Sequence, residues 1–244
     1  MIDLAARMNA AEREKRWKNT RPRDASTLVL LDFRGGRPHV LMGRRDKSLK
    51  FMPGMFVFPG GRVDRADRFA PHTGALDAAS RDRLLEDMKG KASEGRARAL
   101  ALTAIRETYE ETGILLGAPG TPSRPPRGDW TGFAEHGVLP DLSAIAFFAR
   151  AITPPKRPRR FDTRFFTATA DAIGHQLSFE NRPHKELGEL QWIELEEAKN
   201  LDMPAITGVI LEELGHRIDN GRLARDTPVP YYFERRGSFV RLEL

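Results

Sequence analysis

The sequence at residues 106–114, RETYEETGI, decides the fold. On a helix, Glu107, Glu110 and Glu111 are three or four residues apart and project onto one face. Like charges at these spacings repel and destabilise an isolated helix by about 0.2–0.5 kcal/mol per pair. They require compensation from solvent, from an arginine or from a divalent cation. Oxygen ligands grouped in this way suit Mg²⁺ or Mn²⁺, although a solvated acidic helix end is the simpler interpretation of the three glutamates alone.

The neighbouring sequence predicts the elements that carry this segment. Ala97–Tyr109 is rich in alanine and predicts a helix that ends at Gly113. Upstream, the apolar run Met55–Phe58 predicts a strand that passes directly into a turn at Gly60 and Gly61. The sequence therefore places a glycine turn after a strand and an acidic cluster on a helix.

The rest of the chain alternates between strand and helix patterns. Further strands are predicted at Ser26–Asp32, His39–Met42, Ser143–Ile152, Phe161–Thr169 and Leu190–Glu194, and further helices at Ala75–Met88, Leu195–Asn200 and Pro204–Arg217. No polar break separates two independent cores. The sequence therefore predicts one α/β or α+β domain over residues 1–244, with a helical extension from about residue 204.

Composition limits the possible functions. The chain has 244 residues, of which 30% are charged and 40% hydrophobic, a globular balance. It has no cysteine, so any metal must be held by oxygen or imidazole. The net charge of +6 attracts a polyanion, either a phosphorylated metabolite or a nucleic acid. There is no membrane-length apolar run, and residues 1–25 are too charged for a signal peptide, so a cytoplasmic protein without a membrane partner is expected.

The acidic segment and the glycine turn together resemble the Nudix hydrolase superfamily, whose motif is GX5EX7REUXEEXGU, with U an aliphatic residue. The second half of this motif is present at residues 106–114, and Gly60 and Gly61 match its opening. The resemblance implies a Nudix fold, in which a mixed β-sheet is sandwiched between helices and a loop–helix–loop motif forms the catalytic site. It also implies metal-dependent hydrolysis of a nucleoside diphosphate linked to another moiety.

The resemblance further implies a role for each acidic residue. Glu107, Glu110 and Glu111, with a backbone carbonyl from Gly60 or Gly61, would hold one to three Mg²⁺ or Mn²⁺ ions on the diphosphate. Metal ions of this kind neutralise phosphate charge and activate water. A general base or additional ligand would come from a later loop, for which the candidates are Glu180, Glu186 and Glu189.

The chain departs from the motif around its arginine. The resemblance makes Arg106 a catalytic-site residue that orients the glutamates and is itself held by a glutamate. That glutamate is replaced by Asp67, which is one methylene shorter. In addition, 38 residues separate Asp67 from Arg106 where the family has seven, so 31 residues are inserted at about 68–98. Thr108 stands at an aliphatic position. Whether Asp67 can orient Arg106 is left open.

A second pattern resembles the coenzyme A diphosphatase branch, and in particular its peroxisomal subgroup. Leu41, Arg45, Gly54 and FPGG at 58–61 agree with that pattern, and Lys50 replaces an arginine. The resemblance implies cleavage of coenzyme A or an acyl derivative to 3′,5′-ADP and a phosphopantetheine fragment. The candidates for substrate binding are Arg44, Arg45, Lys50, Gly60 and Gly61. Arg44, Arg45 and Lys50 have an alternative interpretation, in which they form a basic loop that only protects an edge strand.

Several alternatives stay open at this point. The substrate could instead be ADP-ribose or another nucleoside diphosphate derivative, or the chain could be a Nudix-fold nucleotide- or RNA-binding module without turnover. A small-molecule nucleotide is favoured over nucleic acid as the partner, and a homodimer is neither required nor excluded. His184 is interpreted as a surface residue and Trp130 as a packing residue.

Overall fold

The computed structural model describes residues 4–10, 16–49, 52–221 and 226–244. Its helices are α1 (Leu4–Ala10), α2 (Ala78–Glu86), α3 (Glu94–Thr112), α4 (Thr131–Glu135), α5 (Leu195–Ala198) and α6 (Ala205–Asp219). Its strands are β1 (Arg23–Arg34), β2 (Arg37–Arg45), β3 (Phe56–Val57), β4 (Gly60–Arg62), β5 (Ile114–Leu116), β6 (Ala118–Pro119), β7 (Val138–Leu139), β8 (Ala146–Ile152), β9 (Phe161–Thr169), β10 (Ile173–Gln176), β11 (Leu187–Glu194), β12 (Pro230–Arg235) and β13 (Ser238–Glu243).

Nine of the described strands form one mixed sheet. Its order is β11-β2-β1-β9-β8-β12-β13, with β3 paired to β2 and β4 paired to β1. Strand β1 runs parallel to β9, and β12 runs parallel to β8, whereas the other neighbours are antiparallel. The pairing of β4 with β1 fixes the glycine turn against the centre of the sheet.

Helices cover both faces of this sheet, as the alternation along β1 shows. Leu28 and Leu30 belong to the core beneath α3, whereas Val29 and Leu31 belong to the core beneath α6. All four side chains are buried. Successive residues of a strand point to opposite faces, so a strand buried on both sides is apolar at every position. The predicted mixed sheet between helices is confirmed.

Helix α3 is longer than its sequence pattern indicated. The prediction covered Ala97–Tyr109, and the structure extends α3 in both directions. Gly113 ends the helix in the left-handed conformation, with φ 77°, and its N–H donates to the carbonyl of Tyr109 at 2.8 Å. A glycine is favoured there because other residues adopt this conformation at a cost.

The C-terminal region contains more than the predicted helical extension. Helix α6 occupies the predicted position, but it is followed by the β12–β13 hairpin, which the sequence analysis did not predict. The hairpin turns at Arg236 and Gly237, which have φ values of 52° and 91°. Tyr232 is fully buried beneath α6, so the hairpin completes that core. None of the described helices is long and apolar enough to span a membrane.

Candidate active site

The glycine turn and the acidic helix meet directly. The N–H of Gly60 donates to Oε2 of Glu111 at 3.1 Å. A Cβ atom at Gly61 would lie 2.5 Å from both carboxylate oxygens of Glu107, and one at Gly60 would lie 2.4 Å from Oγ1 of Thr27. Any side chain on these two residues would collide with the helix or the sheet. The glycines therefore allow two carboxylates to approach the backbone of the turn.

Burial makes the carboxyl groups of Glu107 and Glu111 unusually difficult to ionise. Desolvation raises the pKa of Glu107 to about 7, against the opposing charge of Arg106. It also raises the pKa of Glu111 well above its ordinary value, and the nearby charge of Glu107 adds to the increase. The hydrogen bond from Gly60 only partly opposes this rise. A bound cation would favour the charged form of both groups.

Glu110 occupies a different position from the other two. Its Oε1 accepts a hydrogen bond from Nη1 of Arg106 at 2.9 Å, and its Oε2 lies 3.1 Å from Nδ1 of His184. The backbone N–H of His184 also donates to the carbonyl of Glu110, at 2.8 Å. Desolvation raises the pKa of Glu110, and Arg106 opposes the rise. Glu110 therefore joins the loop that carries His184 to helix α3.

Asp67 holds the catalytic-site arginine. Nε of Arg106 donates to Oδ1 of Asp67 at 2.8 Å, and Nη2 donates to Oδ2 at 3.1 Å and to the carbonyl of Arg62 at 2.9 Å. Burial alone would lower the pKa of Arg106, but the hydrogen bond to Asp67 and the charge of Glu107 raise it above the ordinary value. The shorter aspartate thus makes a two-point contact with Arg106.

Asp67 is in turn held by residues that sequence reasoning did not connect to it. It is fully buried. The backbone N–H of Asp64 and the Oγ1 of Thr103 lie 2.8 and 2.7 Å from its Oδ2, and Nε1 of Trp130 donates to its Oδ1 at 3.2 Å. Trp130 was predicted to pack, and it also donates this hydrogen bond. No spacing in the sequence could have paired an indole with an aspartate so far upstream.

His184 is also more than the surface residue it was predicted to be. Its side chain is 47% exposed, and the same ring contacts the almost fully buried carboxylate of Glu110. The loop that carries it is closed onto the start of β11, because Arg182 donates to the carbonyl of Leu187 at 2.6 Å. A lone histidine in polar sequence gives no signal for such a contact.

The predicted substrate-binding residues upstream of the turn make internal contacts. Nε of Arg44 donates to the carbonyl of Gly54 at 2.9 Å, and its guanidinium lies 5.8 Å from the ring centroid of Phe56. Nη2 of Arg45 lies 3.2 Å from Oε2 of Glu186. Lys50 lies outside the described residues.

Among the three candidate bases, Glu186 is the one whose charge acts on the acidic cluster most directly through Glu111. Its negative charge contributes to the raised pKa of Glu111, and the charge of Arg45 opposes it. Glu189 lies on β11 opposite Arg44 and accepts a hydrogen bond from Gln191. Glu180 is exposed in a short 3-10 turn.

The donor set fits a hard divalent cation. Glu107 and Glu111 supply desolvated carboxylate oxygens next to the glycine turn, and oxygen donors are those preferred by Mg²⁺ and Mn²⁺. Among the described residues, no three acidic or histidine side chains already converge as a metal site. Glu107 and Glu111 lie against the glycine turn, and Glu110 contacts Arg106 and His184.

Comparison with known proteins places these features in a family context. A scan against protein-family models found no match. The chain is 28% identical over 193 residues to the acyl-coenzyme A diphosphatase NUDT19 of Gallus gallus, covering 59% of this chain and 51% of the relative. It is 30% identical over 197 residues to the acyl-coenzyme A diphosphatase NUDT19 of Homo sapiens, covering 57% and 52%. The chain thus matches about half the length of these curated relatives.

A solved structure extends the similarity to most of the fold. The crystal structure of a NUDIX hydrolase from Alicyclobacillus acidocaldarius superposes with a TM-score of 0.60 and 28% sequence identity. The match covers 79% of this chain and 90% of that one. The similarity therefore includes the sheet and its covering helices as well as the short motif.

Proposed function

We propose, from the premise that the chain belongs to the Nudix hydrolase superfamily, that it hydrolyses the diphosphate bond of a nucleoside diphosphate linked to another moiety. The observation that carries this proposal is the approach of Glu107 and Glu111 to a two-glycine turn, with both carboxylates desolvated. Coenzyme A or an acyl derivative is the proposed substrate. The curated relatives named as acyl-coenzyme A diphosphatases support that choice.

The proposed roles follow from the contacts of each side chain. Glu107 and Glu111, with the carbonyl of Gly61, would hold Mg²⁺ or Mn²⁺, which when bound neutralises diphosphate charge and lowers the pKa of coordinated water. Arg106 keeps the carboxylate of Glu107 in place at 3.0 Å. Glu110 acts through Arg106 and through its loop contact, which makes it a positioning residue in this arrangement.

Glu186 is the residue we assign to accept a proton from the attacking water. Its Oε2 is held by Arg45 at 3.2 Å, and its side chain is 51% exposed, so substrate and solvent can reach it. A base must lie within hydrogen-bond reach of the proton that it removes. The ion pair with Arg45 holds the Glu186 carboxylate at the end of β2, and the charge of Glu186 adds to the raised pKa of Glu111.

The expected products are 3′,5′-ADP and a phosphopantetheine fragment, acylated when the substrate is. The test incubates the protein with coenzyme A, acetyl-coenzyme A, ADP-ribose, NADH and capped RNA in Mg²⁺ or Mn²⁺, and separates the products by chromatography. The proposal predicts that a coenzyme A compound is the fastest substrate. Faster cleavage of ADP-ribose or NADH would replace the substrate assignment, and tight nucleotide binding without cleavage of any compound would favour a binding module.

Variants separate the proposed roles. Glu107→Gln and Glu111→Gln are expected to lower kcat by at least about 100-fold, because each removes a metal-holding charge at constant shape. Circular dichroism and urea unfolding confirm that each variant is folded. Glu94→Gln is the matched control, since Glu94 is exposed in the first turn of α3, 13 residues and about 20 Å of helix before Glu107. Full activity in Glu107→Gln and Glu111→Gln would contradict the proposed site.

A further inference from the structure

An exposed patch of three arginines and one phenylalanine follows the glycine turn immediately. We call it the basic patch; it consists of Arg62, Arg65, Arg68 and Phe69. All four residues are exposed, and Phe69 is 79% exposed, which is unusual for a large aromatic residue. Within the part of the chain that the structure describes, none of the three guanidinium groups has a hydrogen-bond or ion-pair partner. Within residues 62–69, the acidic residue that is not buried is Asp64, and it accepts a hydrogen bond from the N–H of Ala66.

The backbone beneath the basic patch is firmly anchored. A 3-10 turn spans Ala66–Phe69, and its buried member is Asp67. Asp67 is fixed to Arg106 of the catalytic helix and to Trp130, as described above. Because this anchor points inward, the adjacent side chains of Arg68 and Phe69 must point outward. The turn cannot collapse to bury Phe69 without breaking contacts of a fully buried carboxylate.

The basic patch also lies next to the proposed reaction centre. Arg62 directly follows Gly61, which contacts Glu107. Four residues of extended chain span at most about 14 Å, so the Cα of Arg65 lies within that distance of the glycine turn. The arginines predicted to bind substrate are less available, because Arg44 and Arg45 contact Gly54 and Glu186. By contrast, Arg62, Arg65 and Arg68 are exposed and follow the glycine turn directly in the chain.

We propose that the basic patch binds the nucleotide end of the substrate, with Arg65 and Arg68 contacting a phosphate outside the diphosphate and Phe69 stacking on the base. This inference rests on the proposed function. A guanidinium group matches two phosphate oxygens at once. An exposed aromatic ring gains free energy when a base stacks on it. The ligand class is therefore a nucleotide that carries a further phosphate on its ribose.

The test compares two substrates that differ only in that phosphate, coenzyme A and 3′-dephospho-coenzyme A. The double variant Arg65→Gln/Arg68→Gln is expected to raise KM for coenzyme A about 10-fold, since two charge-assisted contacts are lost. KM for the dephosphorylated compound and kcat for both should stay within about twofold. Phe69→Ala is expected to raise KM for both compounds by a similar factor of about 5 to 10.

Arg235→Gln/Arg236→Gln is the matched control. It removes the same charge from an exposed turn at the β13 edge of the sheet and should change neither KM. Equal KM increases for the two substrates in Arg65→Gln/Arg68→Gln, or no increase for coenzyme A, would overturn the assignment of the phosphate.

A binding measurement keeps this inference separate from the proposed function. Calorimetric titration with 3′,5′-ADP and 5′-AMP requires no turnover. Tighter binding of 3′,5′-ADP that disappears in Arg65→Gln/Arg68→Gln supports the basic patch, even if coenzyme A is not cleaved and the proposed reaction is wrong. Equal affinities of the parent protein for the two nucleotides would contradict the basic patch, even if coenzyme A is cleaved.

Discussion

Replacing Asp67 with asparagine tests how helix α3 is held, because the substitution removes charge without changing shape. Both carboxylate oxygens of Asp67 accept hydrogen bonds inside the protein. If the new amide nitrogen replaces Oδ1, it faces Nε of Arg106 and Nε1 of Trp130. If it replaces Oδ2, it faces the N–H of Asp64 and Nη2 of Arg106. In either orientation, the new NH2 group faces two N–H donors whose hydrogen bonds it cannot accept.

The expected loss of stability follows from the burial of this ion pair. Asp67 is 0% exposed and Arg106 is 5% exposed. Neutralising one partner of a buried ion pair costs about 3–5 kcal/mol. Because Glu107 and Glu110 still contact Arg106 in Asp67→Asn, we expect the lower end of this range, about 3 kcal/mol. Asp67→Glu would restore the charge, but its extra methylene must enter a closed site, for which about 1–3 kcal/mol is expected. The order of stability is therefore parent, then Asp67→Glu, then Asp67→Asn.

Urea unfolding at pH 7 in EDTA, followed by circular dichroism, measures these differences by linear extrapolation. Asp64→Asn is the matched control on the same turn, since an asparagine oxygen can also accept the hydrogen bond from Ala66. That control should change the free energy of unfolding by less than about 0.5 kcal/mol. A loss below about 1 kcal/mol in Asp67→Asn would refute the conclusion that this contact anchors Arg106.

Three further predictions concern the acidic cluster. Gly61→Ala should lower kcat by at least about 10-fold with little loss of fold, because its Cβ would displace the Glu107 carboxylate, 2.5 Å away; unchanged kinetics would contradict that contact. His184→Ala should lower kcat and weaken Mn²⁺ binding measured by electron paramagnetic resonance. His184→Asn, whose amide can reproduce the Nδ1 contact with Glu110, should rescue both, whereas a purely structural loop would show no such rescue. Burial raises the pKa of Glu107 to about 7, so the folded state holds this proton more tightly than the unfolded state. Without metal, the free energy of unfolding should therefore fall by about 1–3 kcal/mol as pH rises from 5 to 8, and this fall should shrink in Glu107→Gln.

The sequence predicted those parts of the site that depend on local spacing. Helical periodicity placed Glu107 and Glu111 on one face of a helix. The pair Gly60 and Gly61 predicted a turn earlier in the chain. The sequence could not predict that Glu110 would contact His184, because that contact depends on how a distant loop folds over the helix. It also missed the β12–β13 hairpin, whose strands are short and gain their stability from burial beside β8. Patterns along the chain reveal periodic burial, whereas contacts between elements are set by tertiary packing.

The placement of the acidic cluster explains why the fold and a cation would be coupled. Glu107, Glu110 and Glu111 lie in the last two turns of α3, where the helix dipole places partial negative charge. Arg106 is the shared cation of the cluster, but Asp67 already takes two of its hydrogen bonds. Folding therefore brings more negative charge into a desolvated site than its own arginine neutralises. A divalent cation that binds only the folded state removes this repulsion and stabilises the protein according to its free concentration and affinity. The cluster's unfavourable electrostatics in the metal-free protein would then be the physical source of its affinity for metal.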